Sequence, residues 1–292
     1  MSLYELLQEW PAFLIFCASL LGLLVGSFLN VVIYRLPIML RRDWQQQCRE
    51  VLELEPSAPQ SSFNLAQPRS QCPECANPIP AWHNIPLISW LLLRGRCRHC
   101  QASISIRYPL IELLSGVLSG LLAWRYGMDW TLLAALILIW SLIVLSFIDL
   151  EHQLLPDQIT LPLIWLGLLF NQQGLFTDLN SALLGAVFGY LFLWSIFHIY
   201  RLLRGREGFG YGDFKLLAAL GAWLGWQSLP LIVLLASVIG SLVGILLVLR
   251  RKHRISQPLP FGPYLAGAGL VALVWGDEIV HAYLRLSGLI QV

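Results

Sequence analysis

The sequence predicts an all-α polytopic membrane protein from three observations: its composition, its long apolar runs and the placement of its basic residues. The 292 residues are 57% apolar and 12% charged, with a mean hydropathy of +0.66. Soluble domains average about 45–50% apolar and about 25% charged residues, so this composition excludes an ordinary soluble domain. We therefore expect membrane lipids, and no nucleic acid, among the partners of the chain.

The apolar runs predict about eight transmembrane helices, because about 17–25 apolar residues are needed to cross the hydrocarbon core of a bilayer. The fourth and sixth runs are shorter than a typical span. The eight runs fall near residues 11–34, 108–124, 131–148, 158–171, 180–200, 213–226, 229–249 and 260–276.

The basic residues predict which loops face the cytoplasm. Nine of the 19 Lys and Arg residues lie between Arg35 and Arg107, and cytoplasmic loops are enriched in such residues. If this segment is cytoplasmic, the N-terminus lies outside, and an even number of spans places the C-terminus outside too. The other basic clusters then also fall in cytoplasmic loops; they are Arg201, Arg204 and Arg206, and Arg250, Arg251, Lys252 and Arg254.

The same pattern divides the chain into three predicted domains. Residues 1–34 form the outer N-terminus and the first transmembrane helix. Residues 35–107 form a polar cytoplasmic loop domain between the first and second helices. Residues 108–292 form a membrane-embedded core of about seven helices.

The polar segment contains a strong signal for a metal site. Two C-x2-C pairs supply four thiolates, which is a usual ligand set of structural Zn²⁺ and leaves no open position for catalysis. Two disulfides are the alternative, but the cytoplasm keeps thiols reduced. His99 could replace one ligand, whereas Cys17 and Cys48 are expected to be a packing residue and a free thiol. The predicted ligands are Cys72, Cys75, Cys97 and Cys100.

Two aspartates stand where apolar runs meet charged loops. Asp149 ends the third run, and Asp213 begins the sixth run within a Gly-x-Gly-Asp string. An ionisable group near hydrocarbon is costly, which indicates a functional role. The predicted topology places both aspartates at the cytoplasmic face, although the composition did not require them to share a side. Asp157 is also cytoplasmic and is the alternative to Asp149.

Such a pair of carboxylates is what an aspartic peptidase needs. Two like charges close together cannot both ionise easily, so the pair holds one proton. The ionised carboxylate then activates a water, while its protonated partner donates to the developing oxyanion. Gly210 and Gly212 would let an extended substrate backbone approach Asp213. The alternatives are a chance Gly-x-Gly-Asp string and, for Asp149, a helix cap.

Several motifs along nearly the whole chain resemble those of the type IV prepilin peptidases. In the first part they are Gly26-Ser-Phe-Leu-Asn30-Val-Val-Ile-Tyr34-Arg35-Leu-Pro37, the four cysteines, Asn84-Ile-Pro-Leu-Ile-Ser-Trp90 and Arg107-Tyr-Pro-Leu-Ile-Glu112. In the second part they are Asp149, Leu154-Leu-Pro-Asp157, Gly210-Tyr-Gly-Asp213 and Pro260-Phe-Gly-Pro263.

The resemblance implies a bifunctional enzyme. Members of this family cleave the basic leader from type IV prepilins and type II secretion pseudopilins at the cytoplasmic face of the bacterial inner membrane. They then methylate the new N-terminal amine, usually that of a phenylalanine, with S-adenosylmethionine. The family's catalytic aspartates match Asp149 and Asp213. Both termini of this chain would be periplasmic, and its zinc domain would be linked to methylation.

Methylation rests on the resemblance alone, because the sequence has no Gly-rich nucleotide-binding turn. Helix capping and topology anchoring are the alternatives for each residue proposed to bind the methyl donor. For the chain as a whole, the alternatives are a peptidase that only cleaves and a zinc-dependent membrane scaffold or transporter. The candidate methyl-donor ligands are polar residues of the matching segment: Asn30, Tyr34, Arg35 and Glu112.

Overall fold

The computed structural model describes residues 10–54, 63–72, 74–80, 85–205, 210–250 and 259–287. Within these ranges the chain is almost entirely helical, which confirms the predicted all-α class, and every predicted apolar run overlaps a helix. The helices are Pro11–Val51 (α1), Ile88–Leu92 (α2), Arg107–Tyr126 (α3), Trp130–His152 (α4), Asp157–Asn171 (α5), Leu179–Arg204 (α6), Tyr211–Leu224 (α7), Leu229–Leu249 (α8) and Gly262–Leu286 (α9). The predictions for Asn84, Arg206, Arg251, Lys252, Arg254 and both chain ends lie outside the described residues.

Five of the described helical segments are long and apolar enough to cross a membrane, and the chain is therefore an integral membrane protein. α5 and α7 have only 15 and 14 residues. At 1.5 Å per residue they are about 21–23 Å long, less than the hydrocarbon core of about 30 Å. The number of eight crossings therefore stays a prediction. The five segments are Pro11–Val51, Trp130–His152, Leu179–Arg204, Trp226–Leu249 and Gly262–Leu286.

The chain divides into two compact units, residues 1–132 and 133–292. In the first unit, α1 continues past the predicted span end at residue 34 to Val51, with Pro37 inside the helix. The polar residues beyond Pro37 are mainly Arg, Gln and Glu, which favour helix as much as leucine does. Hydropathy thus marked only the apolar part of a longer helix.

α1 and α3 of the first unit approach each other closely through small residues. A side chain at Gly22 would lie 2.6 Å from the carbonyl oxygen of Ser115. The Ser115 hydroxyl donates a hydrogen bond of 2.6 Å to the carbonyl of Gly22. Small residues and interhelical hydrogen bonds are the usual means of helix association in membranes.

α7 is the core of the second unit. From Asp213 to Trp223, every side chain except that of Lys215 is buried, as expected of a helix that is apolar on all sides. Its last turn is closed by Asn171 of α5, whose Nδ2 donates to the carbonyls of Ala222 and Trp223 at 2.9 and 2.8 Å. These bonds satisfy carbonyls that the helix itself leaves unpaired.

The contact between α6 and α7 changes character along its length. At one end Gly185 and Gly221 face each other so closely that a Cβ on either would collide with the backbone of the other. At the other end aromatic rings fill the contact. The ring centroid of Phe197 lies 5.7 Å from that of Phe214 and 5.3 Å from that of Tyr211.

Candidate functional site

A cavity of about 650 Å³ in the second unit contains both predicted catalytic aspartates. Asp149 lies in the last turn of α4, and Asp213 lies in the first turn of α7. They are 5% and 7% exposed, so neither carboxylate is solvated as a surface group would be. The structure therefore places two buried acids in one cavity.

Both carboxylates are held in the same way. The N–H of Gly262, at the start of α9, donates to Asp149 Oδ2 at 2.9 Å. The N–H of Gly210, at the start of α7, donates to Asp213 Oδ2 at 3.3 Å. Free N–H groups and the helix dipole favour negative charge at such positions. Each aspartate thus has one oxygen fixed by the start of a helix.

Gly262 is a site residue that the sequence analysis did not single out. A Cβ at this position would lie 2.7 Å from Asp149 Oδ2, so a side chain would push against the carboxylate. The signal that could have found it is the Pro260-Phe-Gly-Pro263 motif. However, nothing in the sequence indicated that the backbone of this motif binds Asp149, which lies more than 100 residues earlier.

The second oxygen of Asp213 is the unusual atom of this cavity. Oδ1 is buried and has no hydrogen-bond partner among the residues that the structure describes. A buried polar atom without a partner costs about 1–3 kcal/mol, and natural proteins rarely leave one without a reason. At a predicted catalytic carboxylate, such an atom is the expected contact of a water or a substrate group.

The two glycines before Asp213 differ in what surrounds them. A Cβ at Gly210 would come no closer than 3.8 Å to the side chain or backbone of another described residue, which is the space expected for a substrate backbone. A Cβ at Gly212 would lie 2.6 Å from the Cβ of Leu155, so that space is taken by packing within the protein. Both glycines line the cavity.

Asp157, the alternative to Asp149, is engaged elsewhere. Lys215 Nζ lies 2.7 Å from Asp157 Oδ1 and 2.8 Å from Oδ2. The Asp157 side chain is 52% exposed and does not line the cavity. This ion pair connects the first turns of α5 and α7, close to the aspartates in sequence but outside their cavity.

The four predicted metal ligands come together in the first unit. Their sulfur atoms all lie within 4.8 Å of one another, and all four are free thiols. Cys72 Sγ and Cys100 Sγ are 3.8 Å apart. With Zn–S bonds of about 2.3 Å, a tetrahedral site has sulfurs about 3.8 Å apart, so the cluster fits this metal. Cys17 and Cys48 are not part of it.

The two cysteine pairs have the same local fold. The N–H of Cys72 donates to the carbonyl of Asn77 at 3.0 Å, and the N–H of Cys97 donates to the carbonyl of Ala102 at 2.8 Å. The N–H groups of Cys100 and His99 also point at the Cys97 thiol and lower its pKa to about 7. Backbone donors that stabilise a thiolate prepare the turn for a cation.

A second cavity, of about 480 Å³, lies in the first unit next to the cysteines. The structure brings all four predicted methyl-donor ligands to its wall. Cys72 and Cys97 line it as well, together with three aromatic rings that sequence reasoning missed. The aromatic residues are Phe63, Trp90 and Tyr108.

Arg35 and Glu112 both bind the irregular part of this wall. Arg35 donates from Nη1 to the carbonyl of Asn64 at 2.9 Å and from Nη2 to that of Pro68 at 2.6 Å. Glu112 Oε2 accepts the N–H of Leu87 at 2.8 Å. Leu87 has φ of +59°, an uncommon conformation for a residue with a side chain. Both charged residues thus hold backbone segments in place.

Asn30 lines the same cavity and has a buried acceptor without a partner among the described residues. Its Nδ2 donates to the carbonyls of Gly26 and Tyr108 at 3.2 and 3.1 Å, which fixes the orientation of the amide. Its Oδ1 is buried and has no partner in the described part of the chain. Tyr34, by contrast, is 49% exposed at the rim. The wall of the cavity therefore contains one buried acceptor in a fixed orientation.

Comparisons with known proteins agree with this division into two units. Residues 20–126 match the bacterial peptidase A24 N-terminal domain, and residues 136–245 match the type IV leader peptidase family. The chain is 56% identical to the prepilin leader peptidase/N-methyltransferase of Stutzerimonas stutzeri, over 99% of this chain and all of the relative.

Two further relatives carry the same name. The protein of Pseudomonas aeruginosa is 53% identical over 99% of both chains. The protein of Neisseria gonorrhoeae is 53% identical over 91% of this chain and 92% of its own length. No solved structure matches the chain.

Proposed function

The chain belongs to the type IV leader peptidase family, and we propose that it removes the leader from prepilins and then methylates the exposed N-terminal amine. The observation that carries the peptidase half is the shared cavity of Asp149 and Asp213. Type II secretion pseudopilins are proposed as further substrates because the motifs resemble those of enzymes that process both. S-adenosylmethionine is the proposed methyl donor.

Asp149 and Asp213 would act as a dyad that holds one proton between them, since two close, buried carboxylates cannot both ionise easily. The ionised carboxylate removes a proton from a water, and that water attacks the carbonyl carbon of the scissile bond. The protonated carboxylate donates its proton to the developing oxyanion. Collapse of this intermediate breaks the C–N bond and passes a proton to the leaving amine. Gly262 and Gly210 hold one oxygen of each acid throughout.

The test is one mass spectrum of a prepilin after incubation with purified enzyme and S-adenosylmethionine. With the wild type we expect loss of the leader and gain of one methyl mass. Asp149→Asn and Asp213→Asn should each lower the cleavage rate by at least about 10³-fold, because each removes one partner of the shared proton. Asp157→Asn is the matched control, since its carboxylate binds Lys215 outside the cavity, and should change the rate less than about threefold.

Three outcomes would contradict parts of this proposal. Cleavage that is lost in Asp157→Asn and kept in Asp149→Asn would move the first acid to Asp157. Cleavage without the methyl mass would favour the peptidase that only cleaves. A prepilin left intact by well-folded wild-type enzyme would favour the membrane scaffold or transporter.

The methyl donor is proposed to bind in the cavity of the first unit. Its volume of about 480 Å³ is typical of small-molecule sites, which range over about 300–1,000 Å³. Aromatic rings suit the flat base of the donor, and Asn30 Oδ1 can accept from an ammonium or hydroxyl group. When bound, the donor supplies an electrophilic methyl group. Arg35 is proposed to hold the wall rather than contact the donor, since both its terminal nitrogens bind carbonyls.

Zn²⁺ is the metal proposed for Cys72, Cys75, Cys97 and Cys100. Four thiolates close the site, so the metal would be structural. Cys72 and Cys97 also line the donor cavity. The metal would therefore fix one side of that cavity.

The donor site is tested by calorimetric titration of S-adenosylmethionine into the purified protein. Asn30→Leu should weaken binding by at least about tenfold, because the ligand then loses its buried acceptor. Asn30→Ser keeps a hydroxyl that can donate to the carbonyl of Gly26 and still accept, and it should bind more tightly than Asn30→Leu. Prepilin cleavage by both variants serves as the control for folding. Unchanged affinity in Asn30→Leu would remove this cavity as the donor site.

The proposed location is the bacterial inner membrane, with the dyad at the cytoplasmic face and both termini in the periplasm. The excess of basic residues between Arg35 and Arg107 supports this orientation. Reporter fusions at each terminus would test it. If a reporter that works only in the cytoplasm is active when it is fused to either terminus, the proposed topology is wrong.

A further inference from the structure

The cavity that contains the dyad continues along two apolar helices. α6 contributes Phe192, Leu193 and Ile196, and α8 contributes one of its faces. Positions 233, 237, 240 and 244 on α8 are separated by four, three and four residues, the spacing of a helix that packs lengthwise against another helix. We call this face the α8 seam; it consists of Val233, Ser237, Gly240, Ser241 and Gly244.

The α8 seam is rich in small and polar residues, although the helix that contains it is strongly apolar. Trp226–Leu249 is the most apolar of the five candidate spans and the least buried. Nevertheless, four of the five seam residues are glycine or serine. Ser237 and Ser241 are exposed, and neither hydroxyl has a hydrogen-bond partner within the described residues. On α4, by contrast, Ser141 and Ser146 donate to carbonyls of their own helix at 2.8 and 2.7 Å.

A face of this kind suits a protein partner better than lipid. Gly240 and Gly244 already face Tyr264 and Leu259 of this chain. The short side chains of Ser237 and Ser241 let a second helix approach, and serine hydroxyls form hydrogen bonds between helices in membranes. Lipid chains gain nothing from either feature. The face would therefore be covered by another helix rather than by acyl chains.

The buried oxygen of Asp213 is an independent sign of an occupant. Oδ1 is buried without a partner within the described chain, and Asp213 lines the same cavity as the seam. A peptide group or a water bound with the substrate would satisfy it. The same cavity thus has a helix-like groove and an unfilled polar site at the dyad.

We propose that the α8 seam binds the apolar helix that lies next to the scissile bond of the substrate. The proposal rests on the peptidase function and adds where the substrate is recognised. The dyad and seam share one cavity among membrane helices, so a segment that reaches both must be apolar. From Val233 to Gly244 the seam is about 16 Å long, which is about three turns of a partner helix. That helix would carry small or β-branched side chains on the facing side.

The direct test is photo-crosslinking in membranes. A photoreactive phenylalanine is placed at 237 or 241, and separately at the neighbouring positions 238 and 242, in the Asp213→Asn background that keeps the substrate uncut. Val238 and Leu242 are exposed on the same helix but do not line the cavity. We expect crosslinks to the substrate helix from 237 and 241, and at least about tenfold fewer from 238 and 242.

A kinetic test introduces a large side chain into the groove and measures the change in KM. Ser237→Trp and Ser241→Trp should raise KM for a full-length prepilin at least about tenfold, because the indole fills the groove. Val238→Trp and Leu242→Trp are the matched controls and should leave KM within about twofold. The serines are preferred to the glycines because Cβ atoms at Gly240 and Gly244 would press on Tyr264 and Leu259.

Different outcomes would contradict the proposed binding groove and the proposed peptidase function. Equal crosslinking from all four positions, or a crosslinked species formed by two copies of this chain, would overturn the groove even if the dyad cleaves. Unchanged KM in both serine variants would overturn it as well. If the wild type cleaves no prepilin, the peptidase proposal itself fails. Thermal unfolding of each tryptophan variant shows whether it is folded.

Discussion

The two cavities keep polar groups beside an apolar bundle by different means. In the second unit, helix starts alone fix the aspartates, through the N–H groups of Gly262 and Gly210. In the first unit, Arg35 and Glu112 bind irregular backbone that the cysteine cluster adjoins. A site built from helix starts depends on helix packing. A site closed by irregular chain depends on whatever holds that chain.

This difference predicts that metal removal separates the two activities. Chelation or Cys97→Ser should weaken S-adenosylmethionine binding by at least about 10²-fold, because structural zinc sites often determine whether their domain folds. Leader cleavage should stay within about threefold of the wild type. Titration calorimetry and the cleavage assay measure the two effects. Cys48→Ser, an exposed cysteine outside the cluster, is the control, and equal loss of both activities would end the distinction.

Because the N–H at the start of α9 holds Asp149, one added methyl group at Gly262 should strongly lower the rate of leader cleavage. Gly262→Ala places a Cβ 2.7 Å from Asp149 Oδ2, and a displacement of about 1 Å at a catalytic group can cost about 10²-fold in rate. Cleavage should fall by about that factor, with S-adenosylmethionine binding unchanged. Gly267→Ala on the same helix meets no atom within 4 Å and should cleave normally. An active Gly262→Ala would show that the carboxylate tolerates the shift.

The dependence on helix packing predicts a stability effect at the far end of α7. Asn171 donates to two carbonyls there and accepts the N–H of Phe176 at 3.0 Å. Asn171→Leu leaves these buried groups unpaired and should cost about 3 kcal/mol of unfolding free energy. Thermal unfolding in detergent measures it. Asn180→Leu, at an exposed asparagine, should change stability by less than about 0.5 kcal/mol.

The smallest expected effect concerns the ion pair between α5 and α7. Lys215→Met removes a pair whose side chains are 24% and 52% exposed. Solvent screening limits such pairs to about 0–1 kcal/mol. The melting temperature should change little, and the change should shrink further at high salt. A loss as large as that of Asn171→Leu would mean that this pair, rather than helix packing, holds α7.

Much of the arrangement followed from pattern alone. Apolar runs located the helices, because a bilayer rewards only long apolar segments. The spacing of two cysteine pairs predicted a cluster, because each pair forms one tight turn. Counting alternate membrane crossings predicted that Asp149 and Asp213 lie on the same side of the membrane. In the structure both residues line one cavity.

Other features depend on contacts between distant segments, which pattern cannot supply. Parity gives the side of a membrane but not which loop meets Asp149, so Gly262 was missed. Hydropathy does not register polar residues that favour helix, so the length of α1 was underestimated. The role of Arg35 in binding a methyl donor stays a prediction, but its hydrogen bonds to carbonyls of residues 64–68 could not be foreseen. Those carbonyls belong to irregular chain, whose path no periodicity describes.

The gradient of side-chain size between α6 and α7 has a mechanical consequence. Gly185 and Gly221 bring the two backbones together at one end, while Phe197, Phe214 and Tyr211 hold them apart at the other. The glycine contact lies near the end of α7, and the aromatic contact lies in its first turn, which also carries Asp213. We therefore expect a larger residue at Gly185 or Gly221 to push α6 away from α7 and to shift the cavity wall that Phe192, Leu193 and Ile196 form.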